Sequence, residues 1–155
     1  MMFDLTFTLN GTRRTIEVEA RTTLLEMLRE GLLHTGTKEA CGVGECGSCM
    51  VLLDGAPTPS CLVLAADAGG GMIETVEGLA SDGVLDEVQS AFAEAGAFQC
   101  GFCTPGMVVT AKALLRDHPE ATSDEIKQAL SGVLCRCGSY TKIMSAFDAL
   151  TGRST

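Results

Sequence analysis

Apolar and polar residues alternate along two short stretches near the N-terminus. Every second residue is apolar over residues 3–9, and the same period returns over residues 15–19. Alternation with a period of two is typical of strands that bury one face. Between the two stretches, Asn10-Gly11 favours a two-residue type I′ turn. The chain is therefore predicted to begin with a β-hairpin.

The next apolar residues recur at helical spacing. Four leucines between residues 24 and 32 lie mostly three or four positions apart, after an Arg21-Thr22-Thr23 segment that can cap a helix start. Residues 50–53 and 72–76 are strand-like again. A hairpin, a helix, a loop and two further strands, in this order, predict a β-grasp domain.

The apolar period changes to helical beyond residue 78, so two domains are predicted, 1–78 and 79–155. The second domain is expected to be a four-helix bundle, which makes the chain an α+β protein. Its helices are marked by apolar residues at Leu85, Val88, Phe92; Val108, Ala111, Leu115; Ile126, Leu130, Val133; and Ile143, Met144, Phe147, Leu150.

Capping residues set the expected starts of two of these helices. Thr104 is predicted to cap the second helix, with Pro105 at its first position. Thr122 and Glu125 have the spacing of a capping box for the third helix.

Composition and charge exclude several classes of function. The formal net charge is −9, and neither predicted domain has a basic patch, so nucleic acid and anionic membranes are not expected partners. No apolar run reaches the length of a membrane span. Residues 1–20 lack a secretory signal pattern, so the expected location is the reducing cytoplasm.

Eight cysteines form two separate quartets, with none left over. The first quartet is Cys41, Cys46, Cys49 and Cys61. Its C-x4-C-x2-C spacing is typical of plant-type [2Fe–2S] ferredoxins, in which each iron takes two thiolates. Glycines between the first three cysteines let the backbone approach the cluster and direct N–H groups at it. Structural zinc sites usually use pairs of cysteines with the shorter spacing C-x2–4-C, so this quartet is predicted to hold a [2Fe–2S] cluster.

The second quartet is Cys100, Cys103, Cys135 and Cys137. Its spacing alone fits a zinc site and an iron–sulfur cluster equally well. The four-helix arrangement would gather these cysteines at one end of the bundle. A helix that begins at Thr104 would direct its positive end at the metal site, which favours an anionic cluster.

Four motifs together resemble the iron–sulfur subunit of the xanthine oxidase family of molybdenum hydroxylases. They are residues 39–49 (EACGVGECGSC), 59–61 (PSC), 99–106 (QCGFCTPG) and 134–140 (LCRCGSY). The resemblance covers almost the whole chain. It implies two [2Fe–2S] clusters, ligated by the two quartets, in an electron-transfer subunit of a multi-subunit molybdenum-containing oxidoreductase.

The resemblance also implies partners and further site residues. A large subunit is expected to carry molybdopterin with its molybdenum, and a medium subunit to carry FAD, in a hetero-oligomer. The helical-domain cluster is expected beside the pterin and the β-grasp cluster nearer the flavin. Gln99 and Cys137 are expected near the pterin. No catalytic residue is expected on this chain, because substrate would react on the large subunit.

Two of these motifs depart from the common family pattern. Ala40 replaces a common glycine, and Gly138-Ser139 replaces a commoner Thr-Gly. Both departures leave the cysteines intact.

Two other functions compete with this interpretation. A free two-cluster ferredoxin that diffuses between enzymes is the first alternative. A zinc-stapled interaction module is the second.

Overall fold

The fold is described from a computed structural model that covers residues 1–152. Residues 153–155, the end of the predicted second domain, lie outside the described residues. The strands and helices in chain order are β1 Met2–Leu9, β2 Thr12–Glu19, α1 Leu24–Glu26, β3 Met50–Leu53, β4 Ala56–Pro59, β5 Met72–Glu74, α2 Val76–Leu79, α3 Glu87–Glu94, α4 Thr104–Asp117, α5 Ser123–Leu130 and α6 Tyr140–Leu150.

The predicted N-terminal hairpin is confirmed. Strands β1 and β2 pair in antiparallel register, with Leu5 opposite Ile16. Asn10 and Gly11 both have positive φ values, 49° and 76°, as a type I′ turn requires. The hairpin forms one edge of a five-stranded mixed sheet with the order β2-β1-β5-β3-β4, in which β1 and β5 run parallel. This sheet and α1 confirm the predicted ferredoxin-like half.

One strand was not predicted. Strand β4 contains Pro57 and Pro59, which lack the N–H group that a central strand needs. It occupies the outer edge of the sheet and pairs only with β3 among the described strands. Proline is tolerated at an edge, because an N–H that faces solvent has no ladder partner to lose.

The first helix begins where predicted but continues differently. Thr23 and Glu26 form a capping box at its start. After Glu26 the backbone widens into a π-helical turn, Met27–Gly31, which closes with a bond from the Leu32 N–H to the Met27 carbonyl oxygen (3.0 Å). Leu24, Leu28 and Leu32 pack in the core of the sheet domain, whereas Leu25 packs with Cys49 and Cys61. The leucine spacing did not predict the π-helical hydrogen-bond pattern.

The four predicted helices of the C-terminal half are confirmed as α3 to α6. They share one apolar core, in which the rings of Phe92 and Phe147 pack edge to face with centroids 6.2 Å apart. The predicted capping box of Thr122 and Glu125 starts α5. No helix within residues 1–152 is long and apolar enough to span a bilayer.

Several predicted helix boundaries were wrong. Helix α4 is capped by Cys103, so Thr104 is its first residue and Pro105 its second. Leu85 lies before α3 and is exposed, because Asp86 is the N-cap residue and the helix begins at Glu87. Val133 lies in the turn after α5, although it is buried in the bundle core as expected.

The two halves pack directly on each other. Helix α4 lies against β3, and Leu52, Val109 and Ala113 form a small buried cluster between them. The Arg116 guanidinium also donates to the Gly55 carbonyl oxygen at 2.9 Å. The short helix α2 spans the boundary that the sequence predicts at residue 78, and that division stays a prediction.

An ion pair between α3 and α4 gives a pH-dependent stability prediction. Lys112 Nζ lies 2.6 Å from Asp86, the residue that caps α3. Burial lowers the pKa of Lys112, but its hydrogen bond with Asp86 and the acidic charges nearby outweigh burial, so its pKa lies above 10.5. A raised lysine pKa contributes stability below the unfolded value, and that stability is lost as the pH rises through the folded value.

We therefore expect Lys112→Met to lower the free energy of unfolding by about 1 kcal/mol at pH 7. The difference from wild type should shrink above pH 10.5. Urea titrations between pH 7 and 11 measure both values. Lys127→Met is the matched control, since Lys127 pairs with exposed Asp124 and its substitution should have no measurable effect. An equal loss in both variants would contradict the assignment.

Candidate metal centres

The N-terminal quartet lies on one face of the sheet domain. Cys41, Cys46 and Cys49 belong to the loop that precedes β3, and Cys61 lies in a 3-10 turn directly after β4. Cys49 and Cys61 are buried, whereas Cys41 and Cys46 are half-buried. The hairpin β3–β4 therefore brings the fourth cysteine back to the loop that carries the first three.

Within this quartet the thiols meet in pairs. The Cys46 thiol lies close enough to Cys41 to help lower the pKa of Cys41, and the Cys49 thiol lies close enough to Cys61 to help raise the pKa of Cys61. The Val43 N–H donates to the Cys41 sulfur at 3.4 Å. This bond, with others from Cys46, lowers the pKa of Cys41 to about 6. Burial and the neighbouring Cys49 thiol raise the pKa of Cys61 to about 11.

The second quartet lies at one end of the helical bundle, as predicted. Cys103 is at the N-terminus of α4 and is buried, and Cys100 precedes it on an exposed loop. Cys135 is buried and Cys137 half-buried, both in the turn between α5 and α6. The packing of α4 against α5 brings the Cys100–Cys103 pair close to the Cys135–Cys137 pair, although 31 residues separate the two pairs in the sequence.

These thiols pair in the same manner. The Cys137 thiol lies close enough to Cys100 to help lower the pKa of Cys100, and the Cys135 thiol lies close enough to Cys103 to help raise the pKa of Cys103. Burial raises the pKa of Cys103 to about 12. Burial alone would raise the pKa of Cys135. The Ser139 backbone nitrogen lies 3.4 Å from the Cys135 sulfur, and its N–H bond together with further hydrogen bonds outweighs burial, so the pKa of Cys135 is lowered.

The donor set fits a binuclear cluster. Among the described residues, no three metal-binding side chains converge closely enough to share one ion. Two thiol pairs are present in each quartet instead, and a [2Fe–2S] cluster needs two thiolates on each of two irons. Backbone N–H groups directed at sulfur, from Val43 and Ser139, suit the negative charge of such a cluster.

Residues beside the second quartet extend the site. Gln99 is exposed, and its Nε2 donates to the Cys137 carbonyl oxygen at 3.0 Å. The Cys135 N–H donates to the Tyr140 hydroxyl at 2.8 Å, which ties this ligand to the first turn of α6. No role was predicted from the sequence for Ser139 or Tyr140. Their position at the start of the helix after Cys137 was the signal that could have identified them.

The two quartets are joined by a close backbone contact. Gly47, between two ligands of the first quartet, has φ +69°, and a Cβ there would overlap the carbonyl oxygen of Gly132. Gly106 in α4 is packed against Gly47 just as closely. The Leu134 N–H donates to the Cys46 carbonyl oxygen at 2.9 Å, which links a residue adjacent to Cys135 with a ligand of the other quartet.

Two family models together match most of the chain. Residues 7–77 match the 2Fe-2S iron-sulfur cluster binding domain, and residues 75–148 match the [2Fe-2S] binding domain. Each match contains one complete cysteine quartet.

Relatives of known function share this organisation. The chain is 50% identical over 138 residues to the nicotinate dehydrogenase small FeS subunit of Eubacterium barkeri, covering 89% of this chain and 88% of that one. It is also 50% identical over 137 residues to the nicotine 6-hydroxylase small subunit of Paenarthrobacter nicotinovorans, covering 88% and 82%.

Solved structures agree with these relatives. A chain of quinoline 2-oxidoreductase from Pseudomonas putida 86 superposes with a TM-score of 0.93 at 44% identity, covering 97% of this chain and 94% of that one. Aldehyde oxidoreductase from Desulfovibrio gigas superposes with a TM-score of 0.91 at 32% identity, but the match covers 17% of that longer chain and 97% of this one.

Fold, cysteine pairs and relatives define a two-cluster iron–sulfur subunit of an oxidoreductase complex. The chain belongs to the iron–sulfur small subunits of the xanthine oxidase family of molybdenum hydroxylases, which confirms the resemblance in its motifs.

The glycine contact between the quartets gives a second prediction. Gly42 and Gly47 both have φ near +70°, but only at Gly47 would a Cβ meet neighbouring atoms. Gly42→Ala should cost about 1–2 kcal/mol of stability, because the left-handed conformation disfavours a side chain. Gly47→Ala should lower the free energy of unfolding by more than Gly42→Ala does. It should also make the two halves unfold in separate transitions. Calorimetry of both variants tests this, and equal losses would contradict a tight contact at Gly47.

Proposed function

We propose that this chain carries electrons from a molybdenum centre on a large molybdopterin-binding subunit to FAD on a medium subunit, or to another acceptor. Cys41, Cys46, Cys49 and Cys61 hold one [2Fe–2S] cluster in this proposal, and Cys100, Cys103, Cys135 and Cys137 hold the other. The clusters supply one-electron transfer. The observation that carries the proposal is the backbone contact that joins two complete thiol quartets within one chain.

The exposure of the cysteines supports the direction of transfer. In the helical half, Cys100 is exposed, Cys137 is half-buried, and Gln99 bonds to the Cys137 carbonyl beside them. A redox partner can approach this pair more closely than the buried pair Cys103 and Cys135. We therefore place Gln99 and Cys137 next to the pterin.

Exposed apolar side chains lie next to both quartets and suit contacts with partner subunits. Phe98 and Phe102, 45% and 44% exposed, lie on either side of Cys100 in the sequence. Val43 and Leu62, each 62% exposed, lie next to cysteines of the first quartet. Apolar surface of this kind is typical of protein interfaces. Each metal site can thus contact a different subunit of a hetero-oligomer.

The remaining assignments follow from the same proposal. Residues 1–78 form the domain on the flavin side and residues 79–155 the domain on the pterin side. The cytoplasm is the proposed compartment, since eight free thiols that bind iron require reducing conditions. Nucleic acid is an unsuitable partner, because the net charge of −9 would repel its phosphates.

Gln99→Ala in the purified complex tests the proposed direction. The substitution removes the Nε2 bond to the Cys137 carbonyl. Reduction of the clusters by substrate should slow on the order of tenfold, because hydrogen bonds to the residues that carry metal ligands orient those ligands and tune the metal. Substrate affinity should stay nearly unchanged, because substrate binds on the large subunit. Rapid-mixing absorbance and equilibrium binding to the oxidised complex measure the two effects.

Gln128→Ala is the matched control, because Gln128 is exposed on α5 and lies outside both metal centres. It should leave both quantities unchanged. Normal reduction kinetics in Gln99→Ala, or a loss of substrate affinity without a change in rate, would contradict the placement of Gln99 beside the pterin.

A further inference from the structure

Ser139 is buried beside a cysteine of the helical quartet without a clear structural partner. It is 4% exposed and caps the N-terminus of α6. Its backbone N–H donates to the Cys135 sulfur at 3.4 Å. Its hydroxyl makes no well-formed hydrogen bond within residues 1–152, but the hydroxyl lies close enough to the same sulfur to affect that thiol.

A buried hydroxyl without an acceptor is unfavourable, so this side chain needs a partner that the protein atoms do not supply. Cys135 is itself buried, and its sulfur accepts the N–H of Ser139. An iron-bound thiolate is a better acceptor than a thiol, because it is negatively charged and carries no proton. Loading of the cluster therefore provides the acceptor that the Ser139 hydroxyl lacks.

We propose that the Ser139 hydroxyl donates a hydrogen bond to the Cys135 sulfur of the helical-domain cluster and raises the reduction potential of that cluster. The inference rests on the proposed function, which places a [2Fe–2S] cluster on Cys100, Cys103, Cys135 and Cys137.

The effect on the potential follows from charge. One electron reduces one iron from ferric to ferrous, no proton is bound, and the cluster with its four thiolates becomes one unit more negative. A donor directed at a ligand sulfur stabilises the reduced form more than the oxidised form, so the potential rises. The N-terminus of α6, which Ser139 caps, acts in the same direction.

The test is a redox titration of the purified complex with dithionite, followed by electron paramagnetic resonance of each cluster. Ser139→Ala should shift the equilibrium of the helical-domain cluster about tenfold toward the oxidised form, which for one electron is about 59 mV. The β-grasp cluster should keep its potential. Ser139→Thr retains a hydroxyl and should keep the wild-type value.

Ser145→Ala is the matched control, since Ser145 lies on the same helix but its hydroxyl bonds to the Thr141 carbonyl at an exposed position. It should shift neither cluster. Iron analysis of each variant confirms that both clusters are loaded. In the wild-type protein, electron–nuclear double resonance in H2O and D2O should also resolve an exchangeable hydroxyl proton coupled to the reduced helical-domain cluster, in addition to the Ser139 N–H proton on the same sulfur. Ser139→Ala should lose only the hydroxyl proton.

An unchanged potential in a fully loaded Ser139→Ala variant would overturn the inference, and so would an equal shift in Ser145→Ala. If Ser139→Ala fails to load iron, a wild-type spectrum with no exchangeable proton beyond those of backbone N–H groups would overturn it instead. Absence of any [2Fe–2S] signal in wild type is a different result, because it would contradict the proposed function itself.

Discussion

The close backbone contact between Gly47 and the turn that precedes Cys135 is the constraint on which the rest of the structure depends. The Leu134 N–H bond to the Cys46 carbonyl lies at the same place. No side chain fits at Gly47, so the two cysteine-bearing segments approach to backbone contact. Electron transfer weakens steeply with distance. The contact therefore holds the two cysteine quartets close together within one chain.

The thiol environments indicate how metal binding supports the fold. Each quartet has one buried pair and one more accessible pair. Burial raises the pKa of Cys61 to about 11 and that of Cys103 to about 12, so these thiols are protonated at neutral pH without iron. Iron must displace those protons to bind, which couples cluster assembly to pH and to folding. The more accessible pair of each quartet is the one that an external redox partner can approach.

Local sequence patterns predicted most of the elements and both quartets. Alternation and Asn10-Gly11 were enough for the hairpin, because strand period and turn type are local properties. Helical periodicity identified the bundle, but it placed Leu85 and Val133 inside helices that capping and turn geometry exclude. The proline-containing strand β4 was missed, because its pairing depends on its position at the sheet edge rather than on its own sequence.

The contacts that organise the metal centres were less predictable. Gly47 was expected to shape its own loop, whereas its packing against Gly132 joins residues far apart in the chain. Cysteine spacing likewise indicated two quartets but not which thiols pair within them. Such features depend on tertiary packing, and the local periodicity of apolar residues carries no information about it. The role proposed for Ser139 depends on burial in the same way, since only the fold shows that its hydroxyl has no well-formed hydrogen bond within residues 1–152.

We propose that this chain holds two different [2Fe–2S] clusters close together. Electron paramagnetic resonance of the fully reduced complex, combined with iron and sulfide analysis, tests it most directly. We expect about four irons and four acid-labile sulfides per chain, and two distinct signals of about one spin each that broaden or split through mutual magnetic coupling. Stoichiometric zinc, or one signal of one spin with about two irons in a fully loaded preparation, would contradict the account.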